Sequence, residues 1–363
     1  MICRICSNKI SKYELKFKNY PISLWPCSHK IRNYKKDLKL FFCKKCSLMQ
    51  LQRFSKEEIN KFYENESKVL SNDSLLVERY KCINQNIPKN RNKKILEVGG
   101  GRNNILKYFT KSERWLADYN FDNNYKNFKL LKGDFVDIKL KKKYFDYIFF
   151  FHTLEHIEKP KKFLKKIFFS LKDEGKIFVE VPNSKIYLKS NSSYAFFFQH
   201  QILLTEKNLK KLMAICGFKF EKSLQPKKKD ILLYSFLKSK KINFQTLGKD
   251  KNYIKSIYKK IQKDVSKCKK FIKKNKSKNI GIYGCGGTSL TLFYHLKKEK
   301  IKIKYFYDGD KRKINKFIPM TNSKVSDPKY ISQNKLDVII FTNNNLFKVF
   351  KNKYKKIKTL CLI

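Results

Sequence analysis

The chain has 363 residues, 42% of them hydrophobic, and a formal net charge of +54. That apolar share is enough for packed cores, which excludes a disordered chain, and the length calls for two or three domains. Eight of the basic residues are Arg and 76 are Lys; the Lys residues are spread over every segment, unlike the clustered, Arg-rich surfaces that read phosphates and bases.

In chain order, the first 55 residues are organised by two Cys-x-x-Cys pairs, Cys3-Arg-Ile-Cys6 and Cys43-Lys-Lys-Cys46. Two intervening residues let both thiolates of a pair face one ion from a tight turn. Two such knuckles complete a tetrahedron, so a structural zinc ion on Cys3, Cys6, Cys43 and Cys46 is expected. Cys27 and His29 lie between the pairs as lesser candidates. Four sulfur ligands leave no open position for catalysis, and a thioredoxin-like redox pair would leave the second pair without a role. Ten cysteines over this length are too sparse for a disulfide scaffold. The sequence contains neither an apolar stretch of about 18 residues nor an apolar signal region after Met1. A cytoplasmic protein with no membrane partner and no specific nucleic-acid partner is expected.

Residues 56–90 read as a polar helical region anchored by Phe62, Tyr63, Val69, Leu75 and Val77. Ile95, Leu96 and Val98 then form a short buried strand that ends in Gly99, Gly100 and Gly101, with a helical pattern from Ile105. A strand, glycine turn and helix let a nucleotide come close to the backbone. Glu97 beside the turn would repel a pyrophosphate but suits a cationic amino group. Arg114-Trp-Leu-Ala-Asp118 reads as a second strand whose terminal acid accepts from ribose hydroxyls, with Asp122 as the fallback. Lys132-Gly-Asp134-Phe135 offers a carboxylate for an exocyclic amine and an aromatic face for a base. Phe145–Phe151 is the apolar run of a central parallel strand and leads into His152-Thr-Leu-Glu155-His156. An amphipathic helix over 161–172, closed by Asp173-Glu-Gly175, precedes a strand over 176–181. This alternation predicts a parallel sheet with right-handed crossovers and a ligand at the carboxyl ends of its strands.

Glu97-Val-Gly99-Gly-Gly101 resembles the first motif of class I methyltransferases, and His152-Thr-Leu-Glu155-His156 resembles the segment that walls the methyl donor after their fourth strand. The resemblance implies S-adenosylmethionine held by Glu97, Gly99, Gly101, Asp118, Asp134, Phe135 and His152. Further on, Phe196-Phe197-Phe198-Gln199-His200 precedes a helix that starts at Thr205. From end to end the chain resembles the sugar-nucleotide C-methyltransferases that make branched deoxysugars: two cysteine knuckles, a methyltransferase core and a C-terminal domain. The corresponding string in that family is Tyr-x-Glu-His. His200 here stands at the base, Phe197 at the Tyr position and Gln199 at the Glu position. Methylating a carbon next to a ketone requires loss of a carbon-bound proton, after which the enolate attacks the methyl group. A neutral histidine can take that proton; Gln199 can orient it but supplies no charge.

Beyond residue 235, a basic helix from Tyr253 to Lys274 carries Ile254, Ile257, Ile261 and Val265 on one face. A strand over 279–283 meets Gly284-Cys-Gly286-Gly287, a strand over 302–308 ends in Asp308, and a further strand covers 337–341. This is a second, smaller Rossmann-like unit, which the resemblance places on the substrate side rather than at a second donor site.

The sequence therefore predicts an α/β protein with a zinc-binding domain over 1–55 and a methyltransferase domain with a class I, Rossmann-like parallel sheet over 56–235. A C-terminal Rossmann-like α/β domain follows over 236–363. The expected activity is S-adenosylmethionine-dependent C-methylation of a nucleotide-linked keto-deoxy sugar for polysaccharide biosynthesis, with His200 and Gln199 catalytic. Sugar O-methylation, an RNA-binding or RNA-modifying zinc protein and a non-catalytic, degenerate homologue are the alternatives. Nothing in the pattern sets an oligomeric state.

Overall fold

The strand expected at the centre, Phe145–Phe151, is buried at six of its seven positions and lies fourth in a seven-stranded sheet. The chain is seen in a computed structural model that describes residues 1–55, 57–59, 73–87, 92–101, 104–119, 121, 125, 127–185, 196–224, 230–239, 252–354 and 356–362. Phe62, Tyr63, Val69 and Asp122 lie outside the described residues.

Three sheets form in chain order. The first joins β1 (Leu15–Pro21), β2 (Lys35–Phe42) and β3 (Met49–Leu51) in antiparallel register. The second contains β4 (Lys94–Val98), β5 (Glu113–Asp118), β6 (Lys129–Lys132), β7 (Phe145–Phe151) and β8 (Leu171–Pro182). The short β9 (Ile202–Leu203) leaves this sheet to pair with β3 in the first. β10 (Phe218–Ser223) and β11 (Ile231–Lys238) complete the second sheet, in the order β10-β11-β8-β7-β4-β5-β6. β4 to β8 run parallel, and β11 is antiparallel to both of its neighbours. The third sheet is wholly parallel, with β12 (Ile280–Tyr283), β13 (Tyr305–Tyr307), β14 (Val338–Phe341) and β15 (Lys358–Cys361) in the order β13-β12-β14-β15.

Two expectations shift for local reasons. The helix expected after the glycine turn shrinks to a single 3-10 turn, Leu106–Tyr108. The stretch between Val98 and Glu113 must hold both the ligand loop and the return to β5, which leaves too little chain for a full crossover helix. The helix read over 161–172 spans Pro160–Ser170, with Pro160 in its first turn where a missing N–H costs nothing. Leu171 already pairs with Phe145, so Asp173-Glu-Gly175 lies within β8 at a register shift rather than closing the helix.

The long helix Ile254–Lys274 follows its predicted periodicity and buries Ile254, Ile257, Ile261, Val265 and Cys268. Its face enters one apolar core shared with Phe17 and Tyr20 of β1, Phe196 and Phe198, and the third sheet. Polar bonds cross the same boundary: Tyr20 Oη and Thr291 Oγ1 are 2.9 Å apart, and Tyr294 Oη donates to the Lys18 carbonyl at 2.7 Å. Cys27 and Phe317 exchange both backbone bonds, at 2.8 and 2.9 Å. The N-terminal sheet is thus continuous with both α/β units.

His295, in the helix Gly287–Lys298, packs edge-on against Phe17 with ring centroids 5.2 Å apart, and its Nε2 is buried without a hydrogen-bond partner. Burial draws its pKa down to about 4. A folded pKa below the unfolded one means that stability is complete above about pH 6.5 and is lost as pH falls toward the folded value, by up to about 1.4 kcal/mol per unit. Urea unfolding of the native chain and of His295→Phe at about pH 7 and about pH 5 is expected to show a smaller acid-induced loss in the variant. Equal losses in the two proteins would remove His295 from the acid response.

Candidate active site

At the carboxyl ends of β4, β5 and β7 the backbone is held open by interlocking side chains. Gly99 adopts φ 75°, and a Cβ there would lie 2.5 Å from Thr153 Oγ1. That hydroxyl donates to the carbonyls of Val98 and Phe151, both at 3.0 Å, and ties the ends of β4 and β7 together. Glu97 does not project into the mouth as its sequence neighbours suggest. It is 1% exposed, its Oε2 accepts the N–H of Ile105 at 3.0 Å, and its Oε1 sits 2.6 Å from where a Gly100 Cβ would be. The carboxylate therefore braces the loop from beneath, and burial raises its pKa to about 8. Asp118, partly exposed at the end of β5, accepts the N–H of Gly101 at 2.9 Å.

Asp134 is partly exposed and caps its own turn, Oδ1 accepting from the Val136 N–H at 3.0 Å. Phe135 departs from the expected base-covering role: it is 6% exposed and packs on Phe163 with centroids 5.0 Å apart. The apolar face of the helix Pro160–Ser170 offers more burial than the mouth does, and burial decides the direction of an aromatic ring.

His152 begins the loop after β7 with φ 47°, a left-handed conformation that a non-glycine residue holds only under constraint. Two carboxylates supply it. Nδ1 lies 3.3 Å from Glu155 Oε1 and Nε2 lies 3.0 Å from Glu180 Oε1. Partial desolvation lowers the imidazole pKa, although the side chain is still 44% exposed, and the two carboxylates outweigh that effect and raise the pKa to about 10. Glu180 also pairs with Arg79, which stacks over Phe151 at 4.7 Å. Burial would raise the Glu180 pKa; His152 and Arg79 prevail and hold it near about 2. Arg79 and Glu180 are the participants that sequence reasoning missed, and only the buried acid within the apolar run of β8 marked them.

His200 comes from the segment before β9. Its ring lies perpendicular to that of His156, with centroids 4.9 Å apart, and 5.2 Å from Phe197. Burial and the nearby His156 lower its pKa to about 3, so the ring is neutral at every ordinary pH. Gln199 is 3% exposed and meets the site through its backbone, which hydrogen-bonds His156. Phe197 stacks on Trp25, which in turn lies beside Gly286 and beneath the Lys313 ammonium. The second glycine loop thus borders the same mouth. Asp308, at the end of the strand beside that loop, is spent internally: it accepts from the Cys285 N–H and from Lys313 Nζ, both at 2.7 Å.

What holds the His200 segment is the cysteine domain. Cys3, Cys6, Cys43 and Cys46 converge with all sulfurs within 4.8 Å, and Cys27 and His29 lie instead against Phe317. Sulfur pairs 3.4 and 3.5 Å apart are far longer than a disulfide and near the edge of about 3.8 Å for a tetrahedron with bonds of about 2.3 Å. Both knuckles turn in the same way, with Ser7 and Ser47 at φ 59° and 60° donating to Cys3 and Cys43. The Cys3–Cys46 sulfur contact lowers the Cys3 pKa and raises that of Cys46, as expected of two sulfurs sharing one proton in the absence of an ion. The four residues fit a metal ion. Between the first two ligands, Arg4 is 5% exposed and donates to the carbonyls of Leu51 (2.7 Å), Gln52 (3.2 Å) and Gln201 (3.3 Å), and to Gln201 Oε1 (3.1 Å). Asn208 adds a bond to the Cys46 carbonyl at 2.8 Å.

Comparison with known proteins places these features in a class. Residues 77–223 match the family described as a methyltransferase domain, and residues 238–359 match the C-methyltransferase C-terminal domain. No curated protein matches. Among solved structures, a SAM dependent methyltransferase from Aquifex aeolicus is similar over 51% of this chain and 99% of its own, at 16% identity and a TM-score of 0.38. The PH0226 protein from Pyrococcus horikoshii is similar over 48% and 94%, at 16% identity and 0.40. An S-adenosylmethionine dependent methyltransferase from Mesorhizobium loti is similar over 44% and 98%, at 12% identity and 0.37. The parallel strands β4 to β8 lie within the region that matches a methyltransferase domain, and β12, β13 and β14 of the third sheet lie within the region that matches the C-terminal domain of C-methyltransferases. No helix among the described residues is long and apolar enough to cross a membrane.

Replacing Arg4 by Ala leaves several buried carbonyls without a donor and is expected to cost about 3 kcal/mol of stability. Turnover is expected to fall while donor affinity, measured by calorimetry, stays within about twofold, because the glycine corner is built separately. A parallel loss of donor affinity would show that Arg4 supports the whole mouth rather than the His200 segment.

Proposed function

We propose that the enzyme methylates a carbon next to a ketone in a nucleotide-linked deoxysugar, with His200 as the base. The observation that carries this reading is the position of His200: a neutral imidazole beside the loop after β7, on a segment fixed by the N-terminal sheet rather than by the methyltransferase sheet. The match of residues 238–359 to a domain described from C-methyltransferases favours carbon over oxygen as the acceptor.

Gly99, Gly101 and Asp118 are assigned to the donor, with Glu97 bracing their loop and Asp134 beside them. The bound donor supplies an electrophilic methyl group on a sulfonium. His200, neutral before the reaction, takes the carbon-bound proton of the substrate onto a ring nitrogen. Its low pKa in the ligand-free chain makes it a weak base, so the developing enolate must strengthen it by pairing with the imidazolium. Phe197 supplies no hydroxyl and Gln199 no charge, so the ionised groups of this wall are protonated His152 and the Glu155 carboxylate. Positioning against Phe197 and His156 supplies the remainder. In the same reading the cysteine tetrad holds zinc, which staples the N-terminal sheet and takes no part in the chemistry.

Solvent deuterium exchange into a 4-keto sugar nucleotide, followed by mass spectrometry, isolates the proton-removal step without any methyl donor. The native chain is expected to exchange one carbon-bound proton, and His200→Ala is expected to be slower by about 10²–10⁴-fold with donor affinity unchanged. Exchange at the native rate in His200→Ala would exclude it as the base. Metal analysis is expected to find one zinc per chain, lost in Cys3→Ser; a full zinc content in that variant would exclude the tetrad as the site.

A further inference from the structure

A second cluster of ligand atoms sits at the active-site mouth. Glu155, His156 and His200 each bring one donor atom within 4.8 Å of the other two. Glu155 is 2% exposed; its Oε1 faces His152 at 3.3 Å and His156 Nε2 at 3.7 Å, and its Oε2 is buried with no hydrogen-bond partner. A buried carboxylate oxygen left without a donor is costly unless something else occupies its lone pairs. His156 is hydrogen-bonded to the backbone of Gln199. Metal-binding histidines commonly make such a bond from the ring to a backbone carbonyl. The perpendicular His156 and His200 rings, 4.9 Å apart, approach the carboxylate from two directions.

We propose that Glu155, His156 and His200 form a three-ligand site for a divalent ion of the zinc class, and that its occupation switches methyl transfer off. Two imidazoles and one carboxylate are a donor set such ions take, with an open fourth position. Bonds of about 2.0–2.1 Å require ligand atoms about 3.4 Å apart, so the side chains close inward by roughly 1 Å from their present spacing. The ion takes the His200 lone pair, which is then no longer open to a proton. The switch rests on the reading of His200 as the base; the site itself does not. It differs from the cysteine tetrad in chemistry, since its ligands are nitrogen and oxygen.

The test uses the full chain with its cysteine site loaded by one equivalent of zinc. Calorimetric titration with further zinc is expected to show a second equivalent, weakened by about tenfold or more in both Glu155→Gln and His156→Ala. Cobalt as a probe of that second equivalent is expected to give ligand-field bands without thiolate charge transfer. Absence of a second equivalent in the native chain, or equal affinity in all three proteins, would overturn the site. With a keto-sugar nucleotide as substrate, turnover is expected to fall about tenfold as the second equivalent binds; undiminished turnover with the ion bound would overturn the switch. Should no sugar nucleotide be turned over at all, the fault lies with the functional reading, and the binding data still decide the site.

Discussion

A buried cation with oxygen acceptors around it is what joins the two ends of this active site. Taking the Arg4 guanidinium out of water costs several kcal/mol unless its N–H groups are satisfied. Its partners are backbone and side-chain oxygens of Leu51, Gln52 and Gln201. Nη1 and Nη2 find these acceptors while Nε is buried without one, so the guanidinium is held from its two terminal nitrogens. Since Arg4 lies between the two ligands of the first knuckle, a metal that fixes the knuckle fixes the guanidinium. The guanidinium in turn fixes the segment that carries His200. Pairing of β9 with β3 extends the same connection through the backbone. The N-terminal domain is in this sense part of the active site without contributing a reacting group.

The two α/β units use one device to different ends. In each, the acid that terminates the second strand of the unit accepts an N–H from the glycine turn, Asp118 from Gly101 and Asp308 from Cys285. The first acid remains partly exposed at the mouth. The second is 7% exposed and closed over by Lys313, whose ammonium also rests on Trp25. A similar turn therefore ends at an open mouth in one unit and serves packing in the other. Through Trp25 and Phe197, that second turn still reaches the wall of the first unit's site.

The elements legible in the sequence were those whose burial is set by their own pattern. Phe145–Phe151 could only be a strand covered on both faces, and the paired cysteine spacing could only converge on one centre. The periodicity of Ile254, Ile257, Ile261 and Val265 likewise placed the helix that joins the sheets. What the pattern did not carry depends on distant partners. Glu97 turns inward because Ile105 presents an unpaired N–H beneath the loop, and Phe135 turns inward because Phe163 waits there. β9 is two residues long and belongs to a sheet that begins at Leu15, far earlier in the chain, which no local signal encodes. Arg79 and Glu180 find each other across 101 residues. The His152, Glu155 and His156 string could be read from the sequence, but the charge on His152 depends on Glu180 as well as on Glu155, and Glu180 lies on another strand.

The coupling of the cysteine centre to the His200 segment is open to direct measurement by amide hydrogen exchange, with the metal bound and after its removal by a chelator. The account predicts that metal loss raises exchange not only in the knuckles but also across residues 198–204, while Ile148 and Phe149 in the central sheet stay protected. Unchanged protection across 198–204 after metal loss would contradict it and would leave the knuckles as a separate fold with no hold on the site.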